Sequence, residues 1–307
     1  ALSLGFTSII TKIILLSEFL LLICRNELVI GIILANWMII TATGAYLGRF
    51  VKVGKYHQNI TSFAFILLGL IPSITVLVAD YLKNTIFQPG IAFGAGKIIY
   101  STATVLLPFC LLSGFLFTHI ANAYSINTGK RNIDRTYAYE SIGSIIAGVL
   151  FSYLLAGYLS TFRILALLFF VNFIAFLLTA KMKYIPKAAL SVLFLLISTI
   201  PFVFDIDKIV KQFLFINQDL TYLKDTPFGN LAVTNYGDQQ NFFENNVLLF
   251  TTDNVIANEE AAHYAMIQHN NPEDVLLISG GISGITTEIL KYEINRLDFV
   301  ELNPWLI

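Results

Sequence analysis

The sequence predicts a multi-pass α-helical membrane domain followed by an α/β region. Three observations carry this. Mean hydropathy is +0.72 and only 13% of the 307 residues are charged, against roughly a quarter in soluble globular chains. Seven apolar stretches come close to the roughly 20 residues that cross a bilayer as a helix. Near its end the chain reads Asp274-Val-Leu-Leu-Ile-Ser-Gly-Gly-Ile-Ser-Gly, and Asp298-Phe-Val-Glu301-Leu-Asn follows. That is the pattern of a buried strand, a glycine-rich turn, a helix and a second strand ending in an acid.

Charge divides the chain. Residues 1–205 hold 14 Lys+Arg and 6 Asp+Glu, whereas 206–307 hold 5 and 14. The acidic second part offers no basic patch to neutralise phosphates, which excludes nucleic acid as a partner. Cys24 and Cys110 both lie in apolar segments, and the histidines (His57, His119, His263, His269) are scattered, so neither a disulfide framework nor a metal site is expected. The chain starts at Ala1 and stops after Glu301-Leu-Asn-Pro-Trp-Leu-Ile307; it is expected to be a fragment of a longer protein.

The expected division is a transmembrane domain over 1–205, a linker and small β-domain over 206–257, and the first part of a nucleoside-binding domain over 258–307. The spans fall at 3–24, 28–48, 61–81, 98–121, 139–157, 161–180 and 187–204. The first is no cleavable signal peptide, because Lys12 and Glu18 interrupt it and no charged leader precedes it. Charges within a span must face protein, water or each other. Lys12 and Glu18 are six residues apart, about 120° round a helix, which keeps them from pairing directly. Asn36, Thr41, Thr43 and Asn172 read as interhelical hydrogen bonds. In Tyr137-Ala-Tyr-Glu140-Ser-Ile-Gly143-Ser144-Ile-Ile-Ala147-Gly148 the small residues read as a close-packing surface. Glu140 reads as an acid at a helix start, where the dipole favours it.

Orientation is the awkward point. The links around 49–58, 122–138 and 181–187 hold nine basic residues (Arg49, Lys52, Lys55, Lys130, Arg131, Arg135, Lys181, Lys183, Lys187), and the alternate links hold four (Arg25, Lys83, Lys97, Arg163). The positive-inside rule makes the first set cytoplasmic. Seven spans then place the C-terminal domain on the opposite side, and cytosolic nucleoside chemistry needs one crossing fewer.

The amphipathic stretch 206–216 is expected to lie on the membrane surface. Short alternating runs at 220–223, 230–235, 241–244 and 247–251 predict β-hairpins, with Gly237-Asp238 and Asn245-Asn246 as turns tolerant of positive φ. A helix is expected over 258–269, with Asn258 as its cap and Glu259 and Glu260 in its first turn. His269 reads as a residue of its C-terminal end. Residues 275–279 form an unbroken apolar strand of the buried parallel type. Gly280, Gly281 and Gly284 turn into a helix over 285–292, where glycines permit close approach of a ligand. Glu301, at the carboxyl end of the strand 296–302, stands where an acid accepts hydrogen bonds from ribose hydroxyls.

From about Thr226 onward the chain resembles the spermidine synthase (polyamine aminopropyltransferase) family. Glu259-Glu-Ala-Ala-His-Tyr-Ala-Met-Ile-Gln-His269 resembles that family's Asp-Glu-x-x-Tyr-His-Glu…His helix. Ser279-Gly-Gly-Ile-Ser-Gly-Ile-Thr-Thr-Glu-Ile-Leu-Lys-Tyr292 resembles its Gly-Gly-Gly-Asp-Gly-Gly-x-x-Arg-Glu-Val-Leu-Lys-His, and Val300-Glu-Leu-Asn-Pro304 its Val-Glu-Leu-Asp-Pro. The helical half with Tyr137-Ala-Tyr-Glu140-Ser-Ile-Gly-Ser looks like the membrane-fused bacterial branch. The resemblance implies a small β-domain before a methyltransferase-like Rossmann domain, and a place in a bacterial plasma membrane. It implies decarboxylated S-adenosylmethionine as co-substrate, no tightly bound cofactor, and a diamine such as putrescine as acceptor. Gly280, Gly281, Ser283, Gly284 and Glu301 would then bind the donor. Glu259, Glu260, His263 and Tyr264 would contact the amine, although first-turn acids and packing residues of those types are equally consistent with the helix itself.

The sequence departs from the family's pattern at several points. Ile282 stands where the family has Asp, Ser283 replaces a glycine, His263-Tyr264 reverses Tyr-His, and Ala265 replaces the following Glu. Leu248 and Leu249 occupy the region where the family has a Gln. The catalytic Asp is expected beyond residue 307, so no catalytic residue is assigned. Expected partners are the lipid bilayer, a nucleoside and a polyamine, with a homo-oligomer compatible. Two rival readings stand beside the transferase: a transporter-like membrane protein whose nucleoside domain senses a ligand without catalysis, and an S-adenosylmethionine-dependent methyltransferase.

Overall fold

The computed structural model describes residues 1–22, 27–51, 57–86, 94–128, 133–181, 184–226, 228–252 and 254–307. Cys24, Arg25, Lys52, Lys55, Lys130, Arg131 and Lys183 lie outside the described residues, as does the side chain of Lys83. The chain divides into two compact units, Ala1–Leu214 and Phe215–Ile307.

The first unit is helical. Its helices are α1 (Leu2–Leu22), α2 (Glu27–Gly48), α3 (His57–Ile86), α4 (Ala95–Thr128), α5 (Ile133–Leu150), α6 (Thr161–Thr179), α7 (Tyr184–Val203) and α8 (Ile206–Gln212). A π-helical turn, Phe151–Leu155, extends α5. Six of these helices are long and apolar enough to cross a membrane, or seven if α7 and α8, bent by 68°, count as one span.

Close backbone approach explains which helices pair. A Cβ at Gly44 would overlap the Leu111 carbonyl and one at Gly114 the Thr41 carbonyl, so α2 and α4 meet through glycines. In the same way Gly5 faces the Glu140 carbonyl and Gly143 the Leu2 carbonyl, drawing α1 and α5 together. Of the small residues predicted to pack, Gly143, Ser144 and Ala147 do so, Ser144 donating to the Gly5 carbonyl at 3.2 Å. Gly148 has open space around it. Glu140 is not at a helix start, because α5 begins at Ile133; the polar residues before it continue the same helix.

Side-chain hydrogen bonds tie further helices. Asn172 Nδ2 donates to Thr7 Oγ1 at 2.7 Å, and Asn36 Nδ2 to Thr102 Oγ1 at 2.8 Å. Thr43 instead donates to the Ile39 carbonyl of its own helix at 2.8 Å, and the buried Thr41 hydroxyl makes no hydrogen bond to another helix among the described residues. Lys12 sits over the Trp37 ring at 5.5 Å, and Glu18 pairs with Lys211 instead.

The short helix α8 corrects an expectation. Asp207 and Lys211 are buried in the helical unit rather than solvated at a surface. The sequence pattern was amphipathic, but both charges find buried partners: the Phe162 amide for Asp207, and the Glu18 and Asp80 carboxylates for Lys211.

The second unit opens with a four-stranded antiparallel sheet in the order β1 (Asp219–Thr226), β2 (Gly229–Tyr236), β3 (Gln239–Glu244) and β4 (Val247–Thr251). Its turns follow the backbone rules. Gly237 has φ +60°, and Asn245 and Asn246 have φ +53° and +61°, the pair that a two-residue hairpin loop of primed type needs. Helix α9 (Val255–Met266) leads to β5 (Asp274–Ile278), then a 3₁₀ turn (Gly281–Ser283), α10 (Ile285–Ile289) and β6 (Arg296–Val300). Strands β5 and β6 pair in parallel, from Asp274↔Arg296 to Ile278↔Val300. Ala262, Met266 and Ile289 form the small core between α9, α10 and the sheet, with Val275, Leu277 and Leu297 against it.

Helix α9 starts three residues earlier than the sequence indicated. Asn254 is its cap residue, so Asn258 is not, and Glu259 and Glu260 lie beyond the first turn. The helix ends at Met266, leaving His269 outside it, where its Nδ1 accepts from the Asn271 amide at 3.3 Å. Helix α10 starts at Ile285 as expected but ends at Ile289 rather than 292, because the Lys291 and Tyr292 amides tighten into bonds three residues back, to the Glu288 and Ile289 carbonyls at 3.2 and 3.1 Å.

Candidate functional site

The parallel pairing of β5 and β6 generates the site. Register Ile278↔Val300 makes the next residues, Ser279 and Glu301, neighbours at the carboxyl edge. The Ser279 amide continues the ladder to the Val300 carbonyl at 2.8 Å, and its hydroxyl donates to Glu301 Oε2 at 3.0 Å. Glu301 Oε1 accepts from the Leu302 and Asn303 amides at 2.9 and 3.2 Å. Three donors to one half-buried carboxylate fix its orientation across the strand ends.

The chain leaves β5 through left-handed backbone: Ser279 at φ +61°, Gly280 at +74° and Gly284 at +109°. Residues with a Cβ strain in that region, and glycine does not. Gly281 is required for a different reason: a Cβ there would run into the Phe299 ring. The turn is braced from within, Ser283 Oγ donating to the Gly280 carbonyl at 2.7 Å and Thr286 Oγ1 to the Gly281 carbonyl at 3.0 Å. It is braced from outside by Asn258, whose Nδ2 donates to the Ser283 carbonyl at 2.7 Å. The start of α9 therefore flanks the glycine turn. Ile282, at the tip, is 37% exposed.

The structure thus brings Gly280, Gly281, Ser283, Gly284 and Glu301 together around one strand edge. The four α9 residues are placed differently. His263 turns inward between α9 and α10: Nδ1 lies 2.8 Å from the Tyr292 hydroxyl and Nε2 3.5 Å from the Glu288 carboxylate. Glu288, nearly buried, also pairs with Lys291, which reaches Glu259 at 3.8 Å. The hydrogen bond that the Lys291 ammonium donates to Glu288 holds it above the usual lysine range, with the charges of Glu288 and Glu259 adding to it. Tyr264 and Glu260 are exposed. Two members of the site were not singled out from sequence. Ser279 follows from the parallel register, since it is the residue opposite Glu301. Asn258 was read as a cap because an Asn before two acids is a cap signature, and only the earlier start of α9 frees its amide.

Residues 254–307 match the family model described as spermine/spermidine synthase domain. That segment, which holds α9, β5, the glycine turn and β6, is where the chain is similar to the family. Over nearly its whole length the chain is also similar to "Polyamine aminopropyltransferase 2" of Aquifex aeolicus, 22% identical over 99% of this chain and 60% of the relative. A "Polyamine aminopropyltransferase" of Streptococcus uberis is 32% identical over 29% of each chain, and that of Korarchaeum cryptofilum 33% identical over 22% and 21%. The chain thus spans less than two thirds of the length of these relatives. No solved structure matches. The glycine turn and Glu301 both fall inside the segment that matches this family model, and the Aquifex likeness extends through the helical unit.

Proposed function

We propose that the protein is a membrane-embedded aminopropyltransferase that uses decarboxylated S-adenosylmethionine as donor and a diamine such as putrescine as acceptor. The observation that carries this reading is Glu301, locked by Ser279 and two backbone amides beside a glycine turn, within the family segment. Strand β5, the turn, α10 and β6 act as the start of a methyltransferase-like Rossmann domain: Glu301 accepts from the ribose hydroxyls and the turn's backbone lies against the nucleoside. In the transfer a C–N bond forms between the acceptor amine and the aminopropyl carbon, the C–S bond to the sulfonium breaks, and the amine's proton passes to a base. That base is not assigned among residues 1–307.

Membrane insertion is supported by the six candidate spans and by the large apolar side chains they expose, among them Met38, Ile39, Ile145 and Leu178. The bacterial relatives support a bacterial plasma membrane. One observation favours the second reading, a domain that senses a nucleoside without catalysis: Ile282 offers an apolar side chain where a carboxylate would pair with a cationic donor.

Calorimetric titration of the purified protein with decarboxylated S-adenosylmethionine tests the proposal. Saturable binding is expected, weakened about tenfold or more by Glu301→Ala, as for loss of a hydrogen bond to a charged group. Absence of saturable binding overturns both readings. Binding without aminopropyl transfer to putrescine supports the sensing domain.

A further inference from the structure

The helical unit contains an ion cluster that the transfer chemistry does not use. Lys211, on α8, is buried, with its side chain 6% exposed, and its ammonium donates to Glu18 Oε2 at 2.5 Å and Asp80 Oδ1 at 3.2 Å. The two carboxylates, each 4% exposed, come from the C-terminal parts of different long apolar helices, α1 and α3. The lysine comes from a seven-residue helix folded back at 68° from α7. The same helix reaches the start of α6, where Asp207 accepts from the Phe162 amide at 3.2 and 3.3 Å.

Stability is a poor explanation for such a cluster. Desolvating charges is costly, and replacing buried ion triads with apolar residues often leaves a protein as stable or more so. Ionisable groups among membrane helices mark functional sites by default. The occupant indicates the chemistry: a lysine side chain is a primary ammonium on a four-carbon stem, the same group that ends an aliphatic diamine. Carboxylates from two helices arranged around that group form a receptor for it. The lysine that fills it comes from the short helix bent away from α7.

We infer that Glu18 and Asp80 form a binding site for a primary alkylammonium ion, with Lys211 as its tethered occupant. A tethered group competes at high effective concentration, so a free amine binds the native protein weakly and binds best when the tether is cut. The site is built wholly from residues of the helical unit and does not depend on aminopropyl transfer. The same ammonium is offered by a soluble amine and by an ethanolamine lipid headgroup.

The test is thermal melting of the full chain in lipid-free detergent. Lys211→Ala is expected to melt below the native protein, and butylamine to raise its midpoint saturably, while tetramethylammonium at equal ionic strength does not. Adding Glu18→Gln and Asp80→Asn to Lys211→Ala should abolish the amine effect. If Lys211→Ala does not fold alone, purification with either amine gives the same decision: folded protein recovered with butylamine only is expected. No butylamine-specific recovery or shift, or an equal shift in the triple variant, overturns the inference. Nanodiscs of phosphatidylcholine with and without phosphatidylethanolamine then separate the sources. Stabilisation of Lys211→Ala by phosphatidylethanolamine assigns the lipid headgroup, and its absence beside a butylamine response assigns the soluble amine.

Discussion

Ser279 holds a left-handed backbone, φ +61°, that a residue with a Cβ enters at a cost of about 1–2 kcal/mol, and it supplies the hydroxyl that steadies Glu301. The two roles separate by substitution. Ser279→Gly relieves the strain and loses the hydroxyl, whereas Ser279→Ala keeps the strain and loses it too. Thermal melting should therefore find Ser279→Gly more stable than Ser279→Ala by about 1 kcal/mol, with nucleoside binding weakened in both. Equal stability would mean that φ relaxes freely there. A second residue-scale prediction concerns Lys291, whose ammonium is raised chiefly by the Glu288 hydrogen bond. A cation with a folded pKa above its unfolded one stabilises fully below the usual lysine value of about 10.4, and that contribution is lost as pH rises through the folded value. The melting-temperature gap between the native protein and Lys291→Met is thus expected to be flat across neutral pH and to close in alkali. A gap that closes toward acid instead would contradict this assignment.

Elements built on local rules are legible in the sequence. The hairpins follow from two-residue alternation and from Asn245-Asn246, which the structure places at positive φ. Asn246→Val is accordingly expected to lower the melting temperature and Asn246→Gly to leave it level or raise it, since only the first opposes the turn. Asn245 is less replaceable, because its Oδ1 also accepts from the Asn230 amide at 3.0 Å. The glycine-rich turn and the acid at the end of β6 were legible for the same reason: spacing along a strand–turn–helix unit is a local property. Partners set by tertiary packing were not. Nothing in 206–216 shows that Lys211 meets Glu18, 193 residues earlier. Nor does the run before Glu259 show that α9 begins at Val255 and turns Asn258 toward the glycine turn. In the helical unit the small residues of α5 could be read as a packing face, but the glycine contact between α2 and α4 could not be assigned to a pair. Gly44→Leu should separate those two helices, because its side chain would occupy the Leu111 carbonyl's position. A large loss of melting temperature in detergent is the expected result, and a level one would place the contact elsewhere.

At the scale of the whole molecule, whether α7 crosses a membrane with α6 decides on which side the chain would leave the helical unit. Helix α7 returns along the full length of α6. Lys187 Nζ donates to the Leu177 carbonyl at 2.7 Å near the end of α6, and Phe194 stacks on Phe169 with ring centres 3.8 Å apart at mid-length. Arg163 Nε donates to the Pro201 carbonyl at 3.3 Å near the start of α6. Two antiparallel helices in register over this length cross together, so a bilayer that contains α6 contains α7. Reporter fusions after Lys181 and after Phe204 are therefore expected to report opposite sides. The charge bias of the links, with Lys181, Lys183 and Lys187 in the last of the basic ones, makes the first fusion the cytoplasmic one. A donor site supplied from the cytosol requires the second to be cytoplasmic instead. Both fusions on one side would show that α7 enters and leaves by the same face, and the parity argument from α6 would fall.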